Sequence, residues 1–297
     1  MTTASMTTTA EPSSGPSEPS EPSTVRAHTP WAALIFTGAI GGILSGLFAI
    51  GGAIVMVPLL VWRAGMDQRR AAATSLVAII PTAIVSSATY LVHADVDIVA
   101  AAFISGGAIA GAIIGSRLLR RLPLGWLRWM FIVFILLIAA HLLTTVPEPG
   151  HSLALSPLVA TGYVGLGVLT GVASGLFGIG GAIISVPLLG SVFAMSDVIA
   201  KGTALLVSIP TSLAGTMGNR HGNDPVDVRA GLILGATAAA TSVPAVYLAV
   251  ALPPAVSAAT FAALLIAIAI QLIVKAVHTR PAAPEPTPAP APAPAGR

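Results

Sequence analysis

The fold class this sequence predicts is an all-α polytopic membrane protein made of two homologous repeats of four apolar segments each, and three observations predict it. Apolar residues make up 55% of the chain and charged residues only 8%, with runs long enough to cross a bilayer as helix, which takes ~20 residues. One stretch occurs twice: GILSGLFAIGGAIVMVPLL from Gly42 to Leu60 and GVASGLFGIGGAIISVPLL from Gly171 to Leu189 agree at 14 of 19 positions, at an offset of 129. The same offset carries Thr74 onto Thr203, Pro81-Thr82 onto Pro210-Thr211 and Gly106 onto Gly235. Finally, each copy opens on an apolar segment too long and too interrupted to be one ordinary helix. A transmembrane barrel would instead alternate apolar and polar residues in segments of roughly ten.

Residues 1–29 are rich in Ser, Thr, Pro and Glu and have little to bury, so they read as a disordered tail without a cleavable leader. The first repeat spans 31–146, with segments at Trp31–Trp62, Ala71–Val92, Ile98–Leu119 and Leu124–Val146. The second spans 157–278, with segments at Pro157–Phe193, Ile199–Gly218, Val228–Ala251 and Ala255–Val277. Residues 281–297 form a Pro-Ala tail that is expected to be extended and solvated.

Each leading segment is centred on Ile-Gly-Gly, at 50–52 and 179–181. Tandem glycines are poor helix residues and permit a sharp reversal. Either the segment makes one long tilted crossing, or it enters, breaks at the glycines and returns. Positive charge separates the two. With single crossings, Arg63, Arg69, Arg70, Arg117, Arg120, Arg121, Arg128 and Lys201 fall on one side and the other six basic residues opposite, 8 against 6. With doubling back, every Lys and Arg except Lys201 falls on one side, 13 against 1. Cytoplasmic loops carry the excess of Lys and Arg, so the returning hairpin is favoured, with both tails cytoplasmic in a multi-pass protein of the cell membrane. Each repeat then makes an odd number of crossings and the copies are inverted, the rival being a parallel four-plus-four duplication.

Glycines every four residues (Gly38, Gly42, Gly46; Gly167, Gly171, Gly175; Gly107, Gly111, Gly115) let helix backbones approach closely inside lipid. They place the glycine-motif helices in the protein interior. The break itself offers chemistry. Short helices starting near Ala53 and Ala182 would turn their N-termini toward the membrane interior, where unpaired amides and the helix dipole favour an anion. Gly51, Gly52, Gly180 and Gly181 would let a ligand reach that backbone, and Ser45 and Ser174 repeat within the motif. Thr74, Thr82, Thr203 and Thr211, on the following segment, carry hydroxyls that either bond an oxyanion or satisfy backbone freed by Pro81 and Pro210. These ten residues are the candidate substrate-binding set.

The chain has no cysteine, which removes disulfides, thiolate metal sites and cysteine nucleophiles. No Asp or Glu lies deep in an apolar segment, which weighs against a cation substrate. Gly178–Gly181 lacks the third glycine and the preceding strand of a dinucleotide fingerprint, and no P-loop occurs. No nucleophile–base pair stands out, so an enzyme is not expected, nor is a cofactor, a metal centre or a nucleic-acid partner. The expected partners are a small anion and the lipid bilayer; a homo-oligomer is compatible with the sequence.

The doubled GxxSGxxGIGGxxxxxPLL, followed at fixed distance by a Thr and a Pro-Thr, resembles the TauE/SafE family of membrane permeases over residues 31–278. That resemblance implies transport of sulfite or small organosulfonates across the plasma membrane, by alternating access between the repeats. A carboxylate or a metal ion on the same scaffold is the alternative. The first copy departs from the motif at Ala49, where the second has Gly178, which would make the two half-sites unequal.

Overall fold

In the computed structural model, residues 31–93, 96–144, 155–219 and 226–278 are described. Among them there are ten helices and no strand. The first repeat gives α1 (Trp31–Phe48), α2 (Ala53–Arg63), α3 (Gln68–His93), α4 (Ile98–Arg121) and α5 (Leu124–Thr144). The second gives α6 (Pro157–Phe177), α7 (Ala182–Ser191), α8 (Asp197–Asn219), α9 (Val228–Ala251) and α10 (Pro254–His278). Both tails lie outside the described residues.

Four segments per repeat therefore become five helices, because each leading segment divides at its glycines. Gly51, Gly52, Gly180 and Gly181 all adopt positive φ, from 65° to 86°, a region that costs other residues roughly 1–2 kcal/mol. Eight helices are long and apolar enough to span a membrane, and α2 and α7 are not. At 11 and 10 residues, each covers about 15 Å, half of a ~30 Å hydrocarbon core.

The direction of each helix follows from its contacts. α2 folds back on α1: Gly52 and Met56 lie against Gly41, and Leu34 shares a small core with Val57 and Leu60. α3 then runs the way of α1, since the Tyr90 hydroxyl donates to the Gly46 carbonyl at 2.9 Å. α1 and α9 run parallel, with Gly38 on Leu234, Gly42 on Ala238 and Gly46 on Ser242. α4 and α6 do the same through Gly107 on Val164, Gly111 on Val168 and Gly115 on Val172. α8 runs with α4, whereas α3 and α8 oppose each other, Leu76 meeting Gly215 and Tyr90 meeting Gly202. So α1, α3 and α9 point one way and α4, α6 and α8 the other.

This arrangement gathers the arginines at one end of the bundle. Arg70 pairs with Asp227 at 3.0 Å, Arg69 donates to the Leu122 carbonyl at 2.7 Å, and Arg120 donates to the Gly218 carbonyl. Trp31, Trp62, Trp126 and Trp129 lie at the helix ends nearest that face and are exposed; Arg229 stands over the Trp31 ring and Arg63 over the Trp62 ring. Tryptophan and arginine together mark the interface between hydrocarbon and water.

Lys201 belongs to the opposite end. It is 1% exposed, its ammonium bonded to Asp197 at 2.6 Å and to Ser257 at 2.7 Å. Asp97 and Asp227 cap α4 and α9 by accepting from the Ala100 and Ala230 amides.

Candidate functional site

The two breaks meet at the centre of the bundle. A Cβ on Gly51 would stand 3.3 Å from Ile79 and 3.6 Å from the Ile179 carbonyl oxygen. A Cβ on Gly180 would stand 3.0 Å from the same Ile79 and 3.4 Å from the Ser212 hydroxyl. Ile79 sits near the midpoint of α3. Thus α2 leaves the centre toward the arginine face, and α7 leaves it toward the opposite one.

Both short helices begin without a side-chain cap. Their N-cap residues are Gly52 and Gly181, in left-handed conformation with no side chain to offer. The amides of Val55 and Met56 return to the Gly52 carbonyl, and those of Ile184 and Ser185 to that of Gly181. The earliest amides of a helix have no intrahelical acceptor, and here no side chain makes a capping hydrogen bond to them. Such a terminus carries about half a positive charge. Two of them converge in a region that is buried on every side.

The hydroxyls of the candidate set divide into two groups. Ser45, Ser174 and Thr74 are buried with no hydrogen-bond partner. Buried polar groups are almost always paired, and serines within helices commonly return their hydroxyl to the i−4 carbonyl, so three unpaired ones at the duplicated motif are informative. The remaining three have structural partners. Thr82 donates to the Ala78 carbonyl at 2.9 Å, Thr211 to that of Val207 at 2.7 Å, and Thr203 accepts from the Asp97 amide at 3.1 Å. Thr82 and Thr211 thus return their hydroxyls to their own helices, and Thr203 lies toward the end of α8 remote from the breaks.

Ser212 and Ser75, outside the candidate set, bring hydroxyls to the breaks. Ser212 adjoins Gly180 and its hydroxyl is unpaired. Ser75 lies within hydrogen-bond reach of the Gly178 carbonyl at 2.7 Å and that of Ala72 at 2.8 Å, tying the second break to α3. Their counterparts by the offset of 129 are Ala83 and Ala204. Reasoning from duplicated residues passed over Ser212 because it is not duplicated; its place directly after Pro210-Thr211 was the available signal.

No solved structure matches this chain. The family described as Sulfite exporter TauE/SafE matches residues 2–142 and 163–296. The chain belongs to the TauE/SafE family. A probable membrane transporter protein, YunE of Bacillus subtilis, is 25% identical over 208 residues, 62% of this chain and 76% of its own length. MamO of Magnetospirillum gryphiswaldense, also described as a probable membrane transporter protein, is 30% identical over 113 residues, 35% of this chain and 18% of its own length. With eight helices apolar enough to span a bilayer among the described residues, this TauE/SafE member is a multi-pass membrane transporter.

Proposed function

We propose that the protein moves a small anion, sulfite or an organosulfonate, across the cell membrane by alternating access around the central pair of breaks. The observation that carries this reading is the meeting of two uncapped helix N-termini at Ile79, beside the unpaired Ser212 hydroxyl and, among the described residues, with no carboxylate in contact. A helix terminus attracts negative charge and discourages a cation. Three equivalent oxygens on a sulfite or sulfonate group would suit amides from the two termini and the Ser212 hydroxyl, with Ser45 and Ser174, six residues before Gly51 and Gly180, as further candidates. The opposed directions of α1 and α6, and of α3 and α8, support copies related by a two-fold lying in the membrane plane. In that arrangement one site is reached from either face in turn. With the arginine face taken as cytoplasmic, both tails are cytoplasmic as well.

The second half-site is the roomier one at its helix N-cap. In the first copy Met56 packs into the space beside Gly52, whereas its counterpart Ser185 leaves Gly181 with no neighbour closer than 3.3 Å to an added Cβ. The anion is therefore placed against Gly180, Gly181 and Ser212.

Purified protein in liposomes, assayed for flux of sulfite, methanesulfonate, acetate and a divalent metal cation, tests the reading. Flux of the two sulfur oxyanions above that of acetate is expected. Acetate or metal flux without sulfur-oxyanion flux would replace the substrate class, leaving the family assignment intact.

A further inference from the structure

We propose that Ser212, Thr216 and Asn219 line a half-pathway on α8, joining the central breaks to the arginine face, with Arg120 as its seal. The inference rests on the centre being the substrate site. The three positions fall at i, i+4 and i+7, one face of one helix, and α8 runs from the centre to the arginine face along that face. Ser212 adjoins Gly180 at the inner end. Asn219 is the last residue of α8, beside Gly218, whose carbonyl accepts from Arg120.

Each of the three is buried, and each leaves a polar side-chain atom with no hydrogen-bond partner. Their neighbours on the same helix behave differently: Ser208 and Thr211 both return their hydroxyls to the i−4 carbonyl, at 2.8 and 2.7 Å. A serine or threonine that forgoes that bond inside hydrocarbon needs another reason to be there. Thr74, in the matching half of α3, adds a fourth unpaired polar group. Leu76, against Gly215, closes the space between the two helices in this conformation.

The opposite half of the molecule is built otherwise. The counterparts of the three are Ala83, Ser87 and Tyr90. Ala83 has no polar atom, Ser87 donates to the Ile84 carbonyl at 3.2 Å, and the Tyr90 hydroxyl is held by Gly46. Ser86 is unpaired there, but it does not continue into a stripe. Beyond it lies the buried Lys201, already held by Asp197 and Ser257. The half-pathways are therefore unequal, with the polar one facing the arginines.

The native chain has no cysteine, so single-cysteine proteins are tested without background. S212C, T216C and N219C are compared with L213C, which points outward from α8, and with A83C. The probe is a charged, membrane-impermeant methanethiosulfonate applied separately to each face of sealed proteoliposomes. Labelling from the arginine face is expected at all three stripe positions, fastest at N219C, slowest at S212C and about tenfold above L213C, because a charged reagent is excluded from hydrocarbon. Methanesulfonate should slow the reaction at S212C. T216V, folded by gel filtration, should lose about tenfold in anion flux, the order of one hydrogen bond to a charged group. Equal rates at the stripe and at L213C, or labelling only from the other face, would overturn the proposal. Stripe labelling in a protein that carries no anion would instead keep the path and remove the central-anion reading.

Discussion

The two glycine breaks share a sequence and a backbone path, yet they are packed differently. In the first copy the break is crowded and strained. Ala49 stands at φ 56° where the second copy has Gly178, and an added Cβ at Gly52 would meet the Gly41 backbone. In the second copy the break is tethered, and looser at its helix N-cap: Ser75 reaches the Gly178 carbonyl, and a Cβ on Gly181 would meet nothing closer than the Thr170 carbonyl at 3.3 Å. Duplication thus preserved the turn, where backbone geometry admits few residues. It did not preserve the walls around the turn, where Met56 corresponds to Ser185 and Ala83 to Ser212. Two copies with one turn are thus free to differ in everything packed around it.

The largest effect expected is common to both copies. Gly51→Val and Gly180→Val each put a β-branched residue at positive φ against Ile79, and flux in liposomes should fall by about 100-fold or more, given strain of 1–3 kcal/mol placed directly at the site. Gel filtration should still show inserted, folded protein. Loss of folding in both would remove the case for a site effect.

The next substitution pair separates the copies. Gly52→Ala and Gly181→Ala both carry the cost of the left-handed conformation, roughly 1–2 kcal/mol. Gly52→Ala also drives a methyl group into the Gly41 backbone and should cost about 1–3 kcal/mol more, whereas Gly181→Ala meets nothing closer than 3.3 Å. Thermal unfolding of the two variants in detergent measures the difference, and a larger loss for Gly181→Ala would reverse the comparison of the two N-caps. Gly111→Ala, on the α4–α6 seam against the Val168 carbonyl, should resemble Gly52→Ala in stability and keep much of its flux.

Ser45→Ala and Ser174→Ala are expected to move two quantities in opposite directions. Removing an unpaired buried hydroxyl should raise the unfolding temperature, since such a group costs about 1–3 kcal/mol, while flux falls. The Ser174 variant should lose more flux if the second half-site holds the anion; a lower unfolding temperature would mean that the hydroxyl has a structural partner. The smallest effect is Ala49→Gly, which relieves left-handed strain but loosens the unfolded chain, leaving a net gain of about 0–1 kcal/mol. Its mirror, Gly178→Ala, meets the Ala72 backbone and should destabilise.

Much of this architecture was legible in the residues. The helix bounds agree with the apolar segments to within a few positions, because in lipid a helix must satisfy its own backbone and so follows hydropathy. The break was legible because Ile-Gly-Gly occurs twice at one offset. The arginine face was legible because Arg70, Arg120 and Arg229 are interfacial whatever the packing. Other features depend on what lies across the bundle. Whether Thr82 binds a ligand or its own helix is decided by the carbonyl of Ala78, and nothing in Pro-Thr distinguishes the two. Ser212 was obscured because its counterpart is alanine, and Lys201 because its partner Ser257 comes from the last helix.

The close seams between α1 and α9, and between α4 and α6, each join a helix of one copy to a helix of the other. Pulling the copies apart along the boundary between residues 144 and 157 would break both seams at once, exposing carbonyls now covered by glycine backbone. The closely packed bodies in this fold are therefore hybrids, each composed of one hairpin and a crossing helix from the opposite copy: α1 and α2 with α9, and α6 and α7 with α4. The boundary that the repeat draws along the chain and the boundary that packing draws through the bundle do not coincide.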